Sequence, residues 1–125
     1  MGGESDKLVE IIPHEGYVEV RFLGAFSVAR FRAQVDAAVR ACGEGSSCLL
    51  LIDYTALLPV PGVLERYEIS TYAAQVLAPL EKVAAIGTSD QLKEKFGAQV
   101  ARNRGLNVEA FVDREEGLRW LLEKD

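Results

Sequence analysis

The chain has 125 residues, 49% of them hydrophobic and 26% charged, with a formal net charge of −5. This length fits one globular domain that can close a core without a disulfide or metal staple. The acidic balance excludes a phosphate-tracking nucleic-acid surface and disfavours an anionic membrane, and no apolar run is long enough to span a bilayer.

Residues 1–7 are polar and are expected to be a flexible lead-in to a domain over 8–125. No apolar segment follows the N-terminus, so the expected location is cytoplasmic. Asp6 stands where a myristoylation signal would need Ser or Thr. Leu8 to Ile12 is a short β-rich run, and Pro13-His14-Glu15-Gly16 is a turn signal that leaves His14, the one histidine, solvated. Tyr17 to Leu23 alternates: Val18, Val20 and Phe22 on one side, Tyr17, Glu19 and Arg21 on the other, as in a half-buried strand. The two strands form an antiparallel edge.

Ser27 is a suitable N-cap for a first helix, with Val28, Phe31, Val35, Ala38, Val39 and Cys42 inward, Arg32, Asp36 and Arg40 outward, and Gly43 as its stop. Cys42 and Cys48 flank a short turn and, in a reducing compartment, are expected as free thiols. Cys48 to Ile52 is apolar without alternation, which predicts a strand covered on both faces and ending at Asp53. A second helix is expected over 63–78, with Ile69, Tyr72, Ala73, Val76 and Leu80 inward and Pro79 closing it. Val83 to Ile86 is another buried strand. Thr88 and Gln91 form a capping box for a third helix with Leu92, Phe96 and Val100 inward, ended by Gly105. Val108 to Val112 is the last strand, and Asp113 with Glu116 caps a final short helix carrying Leu118, Leu121 and Leu122. The order β-β-α-β-α-β-α-β-α predicts a single α/β domain: a mostly parallel five-stranded sheet with an antiparallel N-terminal edge. Crossovers of one hand put most helices on one side of such a sheet. The second helix, after its long loop, is then expected to cover the other face, with another copy of the chain as the next candidate.

Ligands favour the carboxyl ends of parallel strands, where Asp53, Asp90 and Asp113 fall. Three carboxylates could hold Mg²⁺, but Asp90 and Asp113 precede helices and cap them for about 1 kcal/mol each, so no metal or cofactor is expected. Asp53 suggests a phospho-acceptor, yet the chain lacks the acidic pair and the strand-end lysine that phosphoryl chemistry would need. Thr55 stands where a haloacid-type hydrolase would need its second Asp, and Gly43-x-Gly45 follows a helix and not a strand. No base accompanies a nucleophile, and one His with two Cys makes no zinc site. No catalytic residue is expected. Ala56 to Leu64 is an apolar loop at the carboxyl edge, with Pro59 and Pro61 favouring extended backbone. It either presents its side chains to a partner or folds Leu57, Leu58 and Leu64 down over the end of the sheet. The mixed-charge turn Glu65-Arg66-Tyr67-Glu68 that follows reads as a solvated face.

The pattern resembles a STAS domain of the stand-alone SpoIIAA-like branch. The likeness spans roughly residues 8–122 and is carried by Leu49-Leu50-Leu51-Ile52-Asp53, Lys82-Val83-Ala84-Ala85-Ile86-Gly87, Asn103-Arg104-Gly105, and Val108 to Asp113 followed by Leu118-Arg119-Trp120-Leu121-Leu122. The resemblance implies βα units wound as a superhelix and a non-enzymatic binding role. It also implies a phosphorylatable serine before the second helix, but Pro59-Val60-Pro61-Gly62 offers no hydroxyl there. The expected function is a regulatory or protein-interaction module whose partner is another protein or a second copy of the chain. The alternative is a small carrier of an apolar or lipid-like ligand. The residues expected to meet partner or ligand are Asp53, Thr55, Leu57, Leu58, Val60, Val63, Glu65, Arg66, Tyr67, Thr88 and Ser89.

Overall fold

The computed structural model describes residues 7–43, 48–92 and 96–123; most of the N-terminal segment expected to be flexible lies outside them. Strands β1 (Val9–His14) and β2 (Tyr17–Phe22) form a hairpin around Glu15-Gly16, where Gly16 takes a φ of 92° that a side chain would resist. Three parallel strands follow in spatial order: β3 (Leu49–Asp53), β4 (Lys82–Ile86) and β5 (Val108–Phe111). The sheet is therefore five-stranded and mostly parallel with an antiparallel edge. The helices are α1 (Val28–Cys42), α2 (Val63–Leu77), α3 (Ser89–Leu92), α4 (Phe96–Asn103) and α5 (Arg114–Leu122). The third helix of the sequence reading is described as α3 and α4, and residues 93–95 between them lie outside the described ones.

Because consecutive strands are also neighbours in the sheet, crossovers of one hand all land on one face. Helices α1 and α2 pack together there, with α4 beside α2. Their core joins Val20, Phe22, Leu50, Val83 and Val108 of the sheet to Phe31 and Val35 of α1 and Leu77 of α2. Phe31 packs edge-on against Phe22 at 5.2 Å between ring centroids. Val83 of β4 faces this core, while its neighbour Ala84 faces the opposite one with Leu51 and Ile86, which is why these strands read as continuously apolar.

The expectation that α2 covers the second face is incorrect. That cover is α5, which turns back beneath β3, β4 and β5 and buries Leu121 against Leu51, Ala84 and Ile86. Its Gly117 lies so close to the sheet that a Cβ there would come within 2.7 Å of the Ile86 side chain. The expected α2 stripe does face the core: Ile69 and Leu80 are buried and Tyr72, Ala73 and Val76 pack against it, while Arg66, Ala74 and Leu77 are buried as well, and Tyr72 donates to Asp36 at 2.6 Å.

Covering the second face changes the environment of β2. Glu19, expected on the polar side of its strand, is 1% exposed. It accepts both guanidinium donors of Arg114, at 2.9 and 2.7 Å, the Nε of Arg21 at 3.0 Å, and stands 2.8 Å from His14 Nε2. Burial alone would raise the Glu19 pKa; the hydrogen bonds from Arg114, His14 and Arg21 and the charge of Arg114 overcome it and hold the carboxyl at about 2. His14 is exposed, as expected, and from that position also stacks on Tyr17 at 4.4 Å and joins this cluster. At the other end of α5, Lys82 sits 4.5 Å from the Trp120 ring centre and donates to the carbonyl of Glu123 at 3.2 Å.

The cysteines depart from expectation too. Cys42 ends α1 and Cys48 immediately precedes β3, with 5.9 Å between their Cα atoms, and they form a disulfide. The end of α1 and the start of β3 come together at one end of the sheet, so a separation of six residues suffices to bring the sulfurs together. The expectation of free thiols, which rested on a reducing compartment, is therefore incorrect. No described helix is long and apolar enough to cross a membrane.

Candidate functional site

The carboxyl end of the sheet is closed by the loop 54–62, and its placement follows from a few polar anchors. Asp53 ends β3 and accepts both the backbone N–H and the hydroxyl of Thr55 through Oδ1, at 3.0 and 2.8 Å. These two predicted site residues thus form a local turn. The Thr88–Gln91 capping box is present: Gln91 N–H donates to Thr88 Oγ1 at 3.2 Å, and Thr88 N–H to Gln91 Oε1 at 2.8 Å. The Gln91 amide then donates to the carbonyls of Tyr54 and Leu57, both at 2.9 Å, tying the loop to α3. From the other side Phe26 N–H donates to the Leu58 carbonyl at 2.8 Å. Leu58-Pro59 is a cis peptide.

This anchoring divides the apolar loop. Leu57 folds inward and is 3% exposed, so it belongs to the core and not to a contact surface. Leu58, Val63 and Leu64 point outward, at 62%, 64% and 84% exposure, and Tyr67 is also exposed. Val60 is half-buried. Glu65 accepts from Gly62 N–H at 3.0 Å and so closes the start of α2. Tyr67 accepts from Arg104 at 2.6 Å through its hydroxyl, joining α2 to the turn after α4. Thr88 and Ser89 are exposed where α3 begins. Asp113 caps α5 through Glu115 N–H at 3.0 Å, where Glu116 was expected as the reciprocal partner. Among the described residues no group of three acidic, His or Cys side chains is placed to hold a metal ion.

Arg66 is the residue whose position the charge pattern misread. It is 7% exposed, beneath the loop, and donates to the carbonyls of Asp90 at 3.0 Å and Gln91 at 3.3 Å. It lines a cavity of about 100 Å³ between α2, α4 and the sheet. The void exists because alanines occupy its wall, Ala73 on α2, Ala98 and Ala101 on α4, Ala85 and Ala110 on the sheet, where larger side chains would have filled it. Leu57 and Pro61 border it from the loop. Tyr54, which packs edge-on at 6.3 Å from Phe31, also lines it. Burial pushes the Tyr54 phenol up to about 12, against the opposing charge of Arg66. Neither Tyr54 nor Gln91 figured among the residues expected at the site. Gln91 was visible as a cap, and its second role as clamp arises only where α3 meets the loop.

The geometry defines an α/β domain of SpoIIAA-like, STAS-type fold. It is similar to an uncharacterised protein with a SpoIIAA-like fold from Shewanella loihica PV-4, of the DUF3478 family, with a TM-score of 0.60 and 17% identity over 90% of this chain and 91% of that one. At that identity the likeness concerns the fold. No family model matches the sequence, and no curated protein does.

Proposed function

We propose that the protein is a non-enzymatic interaction module that docks a protein partner, in the first instance a second copy of itself, on the edge formed by Leu58, Val63, Leu64 and Tyr67. The observation that carries this is the outward placement of three aliphatic side chains within seven residues of chain, on a segment held in place by Gln91 and Phe26. A rigid apolar edge of this kind loses little entropy on docking and gains the burial that drives association. The acidic chain and the hydroxyl-free turn 59–62 support a partner other than nucleic acid and a switch other than phosphorylation in that turn. A cytoplasmic setting belongs to this reading; there the glutathione pool would favour the reduced form of Cys42 and Cys48, and thiol trapping in intact cells reads which form operates.

Light scattering over a dilution series tests the edge. The expected result is a mass rising toward twice 13.7 kDa with concentration, and a folded 13.7 kDa monomer for Leu64→Asp. A monomeric wild type at its highest soluble concentration overturns self-association.

A second reading has its own observation. The apolar cavity with a buried cation at its wall supports the binding of a small apolar ligand. Native mass spectrometry of the purified chain separates the two readings: retained small molecule for the second, added protein mass for the first.

A further inference from the structure

We propose that the cavity between α2, α4 and the sheet binds a small apolar carboxylate, with its tail against the alanine wall and its charge on Arg66. The proposal rests on the ligand reading above and names the ligand class.

Three features of the cavity select that chemistry. The first is the charge. Arg66 is almost wholly buried, and among the described residues its guanidinium meets only two backbone carbonyls and no carboxylate lies within ion-pair distance of it. Buried arginine is ordinarily paired with an anion, because carbonyl dipoles replace its hydration only in part. Two carbonyls engage two of the five N–H donors, which leaves donors for a carboxylate. The second feature is Tyr54. It lines the same cavity, and burial pushes its phenol up to about 12. It is therefore a standing neutral donor that an anion's second oxygen can use. One cation and one neutral donor suit a singly charged head group better than a dianion. The third feature is size. A volume of about 100 Å³ is below that of drug-sized pockets and near that of engineered cavities that take benzene, so the tail is a ring or a chain of about six carbons.

The test is a titration of the full chain with hexanoate and with hexan-1-ol, followed by NMR shifts of the alanine methyls. The expected result is saturable shifts at Ala85 and Ala101, with hexanoate bound at least about tenfold more tightly than the alcohol, the factor one charge-assisted hydrogen bond supplies. Arg66→Met should bring hexanoate down to the affinity of the alcohol and leave the alcohol unchanged. If Arg66→Met does not fold, the wild-type comparison still decides, and Ala85→Leu, which keeps Arg66 and fills the void, should abolish binding of both. Equal affinity for acid and alcohol overturns the role of Arg66 while leaving an apolar cavity site. Binding of neither at millimolar concentration overturns both the proposal and the ligand reading. Hexanoate binding that survives Ala85→Leu places the anion elsewhere and overturns the proposal alone.

Discussion

Glu19→Gln is the perturbation that asks most of the structure, because it removes one charge and almost no volume from the point where the terminal helix is attached. In the folded chain the carboxyl titrates at about 2, against an ordinary value of 4.5. A difference of that size corresponds to about 3 kcal/mol of stability held by the ionised form. The sign follows from the direction of the shift. The contribution is fully present above the unfolded-state value, shrinks as pH falls from about 4.5, and is gone once the folded-state carboxyl is itself protonated near 2. Glu19→Gln should therefore be about 3 kcal/mol less stable than wild type at pH 7 and only about 1 kcal/mol less stable at pH 3. Urea unfolding of both proteins, followed by far-UV circular dichroism at several pH values, gives this difference directly. The other carboxylates titrate alike in the two chains and cancel to first order. A gap that stays constant between pH 7 and pH 3, or one below about 0.5 kcal/mol at pH 7, would refute the idea that a buried carboxylate clamps α5 to β2.

Other perturbations reach other parts of the fold. Phe31→Ala removes a ring packed against Phe22, Phe26 and Tyr54 and should cost about 3–5 kcal/mol in the same urea assay, whereas Arg32→Ala, on the exposed side of α1, should stay within about 0.5 kcal/mol; an unchanged midpoint for Phe31→Ala contradicts the packing. A Cβ at Gly87 would come within 2.7 Å of the Tyr54 ring and 3.0 Å of Leu92, so Gly87→Ala should cost about 1–3 kcal/mol and shift the Tyr54 ring resonances, and wild-type spectra would rule this crowding out. Alkylation of the native protein without reductant should leave Cys42 and Cys48 unmodified, with both labelled after reduction; labelling before reduction argues against the bridge. Treatment with an anti-sigma-type serine kinase should add no phosphate at residues 59–62, while stoichiometric phosphate on Thr55 would revive a switch in a shifted position.

Much of the architecture was legible because local and tertiary preferences agree. The hairpin, α1 and the two central strands follow from period, caps and turn residues, and the Thr88–Gln91 box appears in the structure bond for bond. The misreadings share one cause, which is that pattern reports how apolar a face is and not what comes to cover it. The alternation of β2 correctly separates Val20 from Glu19, yet burial of Glu19 depends on Arg114, a residue 95 positions later in the chain. Arg66 sits in a run of alternating charge that reads as solvated. It is buried because the loop 54–62 is drawn over it by Gln91, a contact between segments 34 residues apart.

The same reasoning explains why the candidate site lies where it does. Consecutive crossovers of one hand crowd α1, α2 and α4 onto one face, and small residues are needed where α2 and α4 converge. At Gly97 of α4 a Cβ would lie 2.8 Å from Ser70 Oγ of α2, so the two helices meet there without room for a side chain. The alanines at 98 and 101 continue this small-residue surface of α4 toward the sheet, where Ala85 and Ala110 are small as well. Close approach of the helices at Gly97 and smallness of the facing sheet leave a gap that no side chain enters. The fold thus produces an apolar void as a by-product of its helix packing. What turns the void into a candidate site is the one buried guanidinium on its wall, and it is there because the carboxyl-edge loop folds over Arg66 while leaving Leu58 and Leu64 outside. Any occupant of the cavity therefore lies beneath the same short segment that presents the apolar edge, so ligand binding and partner docking would act on one loop.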